Sequence, residues 1–210
     1  MGPAPAVILF DLDGTLVDTM GAFADIAADV MAIRYGLSRK NARQLYLQTS
    51  GVPFCRQLEV IFGDHPENDA AALEFEERKH HVAVVARMDP ATEAALWALR
   101  EKGIKLVVSS NGMQEHVDAF ADRTGLFDLA LGFDGSAGKG EPHVRVVEAR
   151  LGVTRGALLF VGDSLRDGEI ARETGVRFCA RAGTFPAEAF VARFPESPVV
   201  ESLAEIAFLV

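Results

Sequence analysis

The 210 residues are 49% hydrophobic, carry a formal charge of -9, and spread 19 glycines and 9 prolines along the chain without clustering them. Such a composition can bury a sizeable core and excludes a disordered, repetitive or low-complexity chain. The acidic balance excludes partners held mainly through nucleic-acid phosphates or an anionic membrane surface, which need clustered Lys and Arg, but it admits a small phosphorylated molecule, because a few local cations or a metal can outweigh the net charge inside a cleft.

The N-terminal Met1 to Ala6 carries no basic residue, and the apolar run that follows stops at Asp11. That is too early for a signal peptide or a membrane span, so a cytoplasmic location is the expectation. Ala6 to Phe10, rich in branched residues and closed by acidic residues and Gly14, predicts a buried strand of a parallel sheet. After Asp18 the period changes: Phe23, Ile26, Ala27, Val30 and Ile33 mark a helix that runs to a stop signal at Gly36. Ser38 is placed to cap a helix through Leu47, Pro53 to open the next, and Ala70 to about Val85 to form a third. No strand pattern interrupts this stretch, so residues 18–87 are expected to be a helical insertion between the first and second strands of a core made of residues 1–17 and 88–210.

The core resumes with a helix near Pro90 and a strand from Ile104 to Ser109. Met113, Val117, Phe120 and Ala121 then share one helical face, as do Val144, Val147 and Leu151, and Ala157 to Val161 is a further strand. Pro198 to Val200 fits a short edge strand, where proline is tolerated, and Leu203 to Leu209 a closing helix. Strands alternating with helices predict an α/β fold with a doubly wound parallel sheet. Cys55 and Cys179 form no CxxC pair or zinc set and read as two buried thiols. His65, His80 and His81 lack metal-ligand spacing, and the last two fall in a charged run that predicts solvated surface, while Phe120, Phe127 and Phe133 read as core.

Four polar clusters follow strands or precede helices: Asp11-x-Asp13, Ser110-Asn111-Gly112, Lys139, and Gly162-Asp163-Ser164-x-x-Asp167. Ligands of open α/β sheets bind beyond the carboxyl ends of the strands, so the four are expected to meet in space. Together they suit phosphate ester cleavage, whose barrier must be lowered by about 20 kcal/mol. Asp11 is suited to attack phosphorus because a carboxylate is ionised at pH 7 without a helper base. Mg²⁺ on Asp11 and Asp163 would relieve the repulsion between nucleophile and phosphate. Asp13, two residues on, points to the same face in extended chain and fits a general acid and base. Ser110 is suited to anchor a phosphoryl oxygen, with the amides of Asn111 and Gly112 opening a helix N-terminus. Lys139 supplies a cation on a flexible stem, and Asp167 would hold a metal water or fix that lysine.

These residues resemble the motifs of the haloacid dehalogenase superfamily: DxDGT at Asp11 to Thr15, Ser110 after a strand, Lys139, and GDxxxD at Gly162 to Asp167. The likeness spans nearly the whole chain, and within the superfamily the chain is similar to the branch containing phosphoglycolate phosphatase and β-phosphoglucomutase. It implies a Rossmann-like core with an inserted helical cap of the C1 type, an aspartyl-phosphate intermediate, and a metal ligand from the Asp13 backbone carbonyl. Lys139-Gly140-Glu141-Pro142 lacks the first proline of the usual Lys-Pro-x-Pro, so a looser loop is expected there. True dehalogenases lack the second acidic residue, here Asp13, and the mutases carry a histidine where this chain has Phe23. A small phosphorylated metabolite is therefore the expected substrate, with a phosphomutase or a receiver-like phospho-acceptor module as alternatives. The receiver module is much shorter and has no helical insertion. Substrate choice is expected from the cap stretch Thr49 to Phe54, which includes Gly51, and from Arg56, which is suited to pair with a substrate carboxylate or second phosphate or equally to sit exposed on a helix. Phosphoglycolate, a sugar phosphate and a nucleotide all fit these residues, and oligomeric state is left open.

Overall fold

The computed structural model describes residues 4–209. Six strands, β1 (Val7–Phe10), β2 (Lys105–Met113), β3 (Leu129–Phe133), β4 (Leu158–Gly162), β5 (Arg177–Arg181) and β6 (Val199–Val200), form one sheet in the order β3-β2-β1-β4-β5-β6. Every neighbouring pair is parallel. Helices α1 (Met20–Tyr35), α2 (Arg39–Gln48), α3 (Phe54–Phe62) and α4 (Asn68–Val85) separate β1 from the rest; α5 (Pro90–Glu101), α6 (Gln114–Thr124), α7 (Glu141–Leu151), α8 (Leu165–Thr174) and α9 (Ala187–Arg193) alternate with the later strands. The chain is thus a doubly wound α/β protein with a Rossmann-like sheet. It divides into two compact units, one of Met1–Val17 with Arg87–Val210 and one of Asp18–Ala86.

β1 lies between β2 and β4 and is covered on both faces, with Val7, Ile8, Leu9 and Phe10 at most 2% exposed. That is why its sequence is a continuous apolar run rather than an alternating one. Each such side chain contributes about 1.5–3 kcal/mol on burial, enough to make this strand an anchor for whatever follows it. One face of the sheet packs Leu9 and Phe160 against Val144 and Val147 of α7 and Ile170 of α8.

β3 and β5 are absent from the sequence reading. β3 is an edge strand whose Leu129, Ala130 and Leu131 are only half-buried, and β5 has a three-residue apolar centre between two arginines, so neither shows a run long enough to declare a period. β2 continues past Ser109 to Met113, with a shift of register against β3 in that extension. The edge strand near Pro198 is β6, and the closing helix is a 3-10 helix, Leu203–Phe208.

In the helical unit, Phe23, Ala27, Val30, Tyr46, Phe54 and Phe75 form the core. Ile33 is 75% exposed, contrary to the face assigned above; Ala24, Ala28 and Met31 complete that stripe instead. Ser38 caps α2 by accepting from the Asn41 amide at 3.2 Å. The stretch before α3 is stitched by buried Gln57, which accepts from the Thr49 hydroxyl at 2.8 Å and donates to the Val52 carbonyl at 3.0 Å. Cys55 is exposed, so only Cys179 fits the expectation of a buried thiol; burial pushes its pKa up to about 12.

Candidate active site

Phe10 is level with Val108 of β2 and Val161 of β4, so Asp11, Ser109–Ser110 and Gly162–Asp163 lie side by side toward the carboxyl edge of the sheet. The strand order reverses between β1 and β4, which is where such sheets open a crevice. The Asp11 amide still donates to the Val161 carbonyl at 2.9 Å, prolonging the ladder by one residue and holding this side chain to the sheet. Beyond it the chain turns at Gly14, whose φ of 89° is left-handed and open to glycine without strain. That turn is closed by the Gly14 amide on the Val17 carbonyl at 2.8 Å and leaves Asp13 half-buried.

Lys139 joins the clusters. Its Nζ lies 2.7 Å from Asp11 Oδ1 and 2.6 Å from Asp167 Oδ1, and its side chain is 3% exposed. The flexible stem is thus held, and the cation is a buried one. Asp167 opens α8 in a capping box with Ser164: the Ser164 amide and hydroxyl donate to Asp167 Oδ2 at 3.1 and 2.7 Å, and the Asp167 amide donates back to Ser164 Oγ at 3.1 Å. One Asp167 oxygen thus caps the helix while the other faces the lysine. Gly162 makes room for this, since a Cβ there would lie 2.6 Å from the Asp167 Cβ. Asp163, 2% exposed, accepts from the Thr15 hydroxyl at 3.3 Å on Oδ1 and from the Thr184 hydroxyl on Oδ2.

At the end of β2 the structure departs from the sequence reading. The chain stays extended through Met113 and α6 begins at Gln114, so the Asn111 and Gly112 amides do not open a helix. The Gly112 amide donates to Ser110 Oγ at 2.9 Å instead. Asn111 Oδ1 accepts from the Lys139 amide at 3.1 Å and so ties the lysine loop to β2. Behind them His143 is buried. Its Nε2 lies 3.1 Å from the Gly132 carbonyl, which can only accept, so Nε2 carries the proton and Nδ1 accepts from the Ser109 hydroxyl at 2.9 Å. Burial pushes the His143 pKa down to about 4, which keeps the ring neutral.

Asp11, Asp163 and Asp167 are all buried, and each offers a carboxylate oxygen within 4.8 Å of the others. Two of these carboxylates, Asp11 and Asp167, share the Lys139 ammonium, and Asp163 lies beside them. Burial raises the Asp11 pKa well above the usual carboxylate range, with Lys139 opposing and Asp167 and Asp163 adding to the rise. Burial, then Asp167, raises Asp163 to about 6. The same charge crowding holds Lys139 above its ordinary value despite its own burial. An all-oxygen set with excess negative charge fits a hard divalent cation such as Mg²⁺, which would lower both carboxylate pKa values by supplying the missing positive charge.

The structure thus brings together Asp11, Asp163, Asp167 and Lys139. Asp13 sits on the adjoining turn, outside that carboxylate group, and Ser110 and Asn111 lie at the end of the neighbouring strand. Gly51 and Arg56 belong to the helical unit; Gly51 has a φ of 95°, and Arg56, 67% exposed, pairs with Glu59 at 2.6 Å. Sequence reasoning missed Arg181, Thr184 and His143. None lies in a patterned cluster, and Arg181 and Thr184 follow a strand that was itself not read.

The family model for haloacid dehalogenase-like hydrolases matches residues 8–181. The chain belongs to that family. Among its haloacid dehalogenase-like relatives, a phosphoglycolate phosphatase of Rhodobacter capsulatus is 29% identical over 83% of each chain. An N-acetylmuramic acid 6-phosphate phosphatase of Pseudomonas aeruginosa is 28% identical over 82% of this chain and 80% of its own. CbbY from Rhodobacter sphaeroides, solved in complex with xylulose-1,5-bisphosphate, superposes with a TM-score of 0.73 at 20% identity over 96% of each chain, and so shares the fold. The protein is an enzyme of the haloacid dehalogenase-like hydrolases, of the phosphatase type its relatives represent. No helix of the described residues is long and apolar enough to cross a membrane.

Proposed function

We propose that this enzyme is a Mg²⁺-dependent phosphomonoesterase that hydrolyses a small phosphorylated metabolite through an aspartyl-phosphate on Asp11. The observation that carries the reading is the buried cluster of Asp11, Asp163 and Asp167 around Lys139, which supplies a nucleophile, a cation to hold it and carboxylates suited to a divalent ion.

Asp11 attacks phosphorus with one carboxylate oxygen, the bond from phosphorus to the leaving oxygen breaks, and that oxygen takes a proton from Asp13. Water then attacks phosphorus, Asp13 accepts its proton, and the bond to Asp11 breaks, releasing inorganic phosphate and the free carboxylate. Lys139, 2.7 Å from Asp11, orients the nucleophile and offsets charge on the transferring group, while Asp167 holds Lys139 in place. Ser110, Asn111 and Gly112 line the end of β2, where a phosphoryl oxygen would be anchored. Mg²⁺ would be held by Asp11, the Asp13 backbone carbonyl and Asp163. It would supply charge neutralisation between nucleophile and phosphate.

The Asp18–Ala86 unit is the proposed cap. Its stretch Thr49 to Phe54, held by Gln57, and Arg56 are the proposed source of substrate choice. The named relatives and CbbY carry three different phosphorylated compounds in their descriptions, so the substrate class proposed is a small phosphorylated acid or sugar. Phe23, packed edge-on against Phe75 at 6.4 Å, stands where the mutase branch has a histidine and disfavours phosphoryl transfer between sugar positions.

The test is phosphate release from p-nitrophenyl phosphate and a metabolite panel, with Mg²⁺ and with EDTA. Activity should require Mg²⁺ and fall to background in Asp11→Asn. Robust turnover by that variant would remove Asp11 as nucleophile, and a long-lived phosphoenzyme without turnover would indicate a phospho-acceptor module instead.

A further inference from the structure

Two side chains reach the site from β5 and the turn after it, an element that contributes none of the clustered carboxylates. Thr184 donates its hydroxyl to Asp163 Oδ2, the oxygen that Thr15 does not bond. Arg181, the last residue of β5, donates from Nη1 to the Gly14 carbonyl, in the turn that carries Asp13. The segment is itself tied down, with the Ala182 amide on the Val200 carbonyl at 2.8 Å and the Gly183 amide on the Phe185 carbonyl at 3.0 Å. A Cβ at Gly183 would come within 3.1 Å of Arg181 Nη1, so the absent side chain leaves the guanidinium its path to Gly14.

We infer that Arg181 and Thr184 are positioning residues of the hydrolase site, Thr184 orienting the Asp163 carboxylate for a divalent cation and Arg181 fixing the turn that aims Asp13. The inference rests on the roles proposed above for Asp163 and Asp13. A carboxylate can rotate about its bond to Cβ, and hydroxyls on both oxygens stop that rotation while leaving each oxygen a second lone pair for a cation. Because Thr15 and Thr184 are neutral, they orient the ligand without competing with the cation for its charge. An arginine suits the other task, since the Gly14 carbonyl belongs to a turn with a glycine's freedom, and a charge-assisted donor on a strand end removes that freedom. Displacing a general acid by about 1 Å is enough to cost about 100-fold in rate.

The experiment pairs calorimetric titration of Mg²⁺ into the full chain with steady-state kinetics and melting curves in EDTA. Thr184→Val should bind Mg²⁺ about 10- to 100-fold more weakly than wild type, with Thr184→Ser restoring most of the affinity. Arg181→Ala should keep wild-type KM and lose about 10- to 100-fold in kcat, with Mg²⁺ affinity falling less than in Thr184→Val because Asp11 and Asp163 are untouched, and with Arg181→Lys recovering part of the loss. Unchanged Mg²⁺ affinity in Thr184→Val, equal weakness of the Ser and Val variants, or collapse of the melting transition in both would overturn the assignment of Thr184. Wild-type kcat in Arg181→Ala would overturn that of Arg181. A wild-type chain that turns over substrate but binds no Mg²⁺ would sink the metal reading and the role of Thr184 with it, leaving the Arg181 arm to be judged on kcat alone.

Discussion

Lys139 Nζ lies 2.6 Å from Asp167 Oδ1, with side-chain exposures of 3% and 0%, so neither partner can turn to water if the other is removed. Breaking such a buried pair from one side costs about 3–5 kcal/mol. Lys139→Ala should lose stability on that scale in EDTA at pH 7, because it leaves Asp11 and Asp167 without their shared ammonium beside Asp163. Asp167→Asn should cost less, since it also relieves repulsion on Asp11 and Asp163, yet kcat should fall because Lys139 keeps only one anchor. Urea unfolding of the two variants, with and without Mg²⁺, checks the ranking; Asp167→Asn proving the less stable would contradict it.

Gly162→Ala would drive a methyl group into Asp167, whose Cβ would lie 2.6 Å away. Overpacking of this kind costs about 1–3 kcal/mol, and here the side chain displaced is the one that holds Lys139. Lower melting temperature and lower kcat should appear together. Gly156→Ala, with nothing within 4 Å of the added carbon, is the control and should change neither.

His143 sets a pH dependence of its own. Its pKa is depressed from 6.5 to about 4 by burial, so the unfolded chain binds a proton that the native ring refuses. The associated stability, about 3 kcal/mol from a shift of this size, is present above pH 6.5 and is lost as pH falls toward 4. His143→Gln, which can still accept from Ser109 and donate to Gly132, should flatten the stability curve across that window. If the wild-type and variant curves run parallel there, the neutral-ring assignment is wrong.

Arg56 already pairs with Glu59 at 2.6 Å and is 67% exposed, so pairing with a substrate anion means giving up the Glu59 carboxylate for it. Surface pairs of this kind contribute little to stability, and Arg56→Ala should leave the melting temperature unchanged. The expected kinetic effect is a rise in KM larger than the fall in kcat. An unchanged KM across all accepted substrates would remove Arg56 from substrate recognition.

Much of the fold was legible because its signals are local. Ala6 to Phe10 reads as a buried strand from its unbroken apolar run, and Ser38 reads as a helix cap; both depend only on neighbours along the chain. Ile33 and Cys55 were placed inside and lie outside, since burial on a helix depends on which face its partners cover. β3 and β5 were missed because an edge position and flanking arginines shorten the apolar run below what a period can show.

The sequence by itself determined which residue types stand at the strand ends, and so the class of chemistry: Asp11 with Asp13, and Asp163 with Asp167, are local in pattern and specific in spacing, whereas Lys139 gained its meaning only beside them. Only the tertiary structure decided that Lys139 is a buried partner of both Asp11 and Asp167, that the Gly112 amide serves Ser110 rather than a helix end, and that Arg181 and Thr184 reach across from β5. The physical reason is range. Backbone conformation follows from interactions a few residues apart, whereas ion pairs and hydrogen bonds across the sheet depend on strand order and register, which no short stretch of chain encodes.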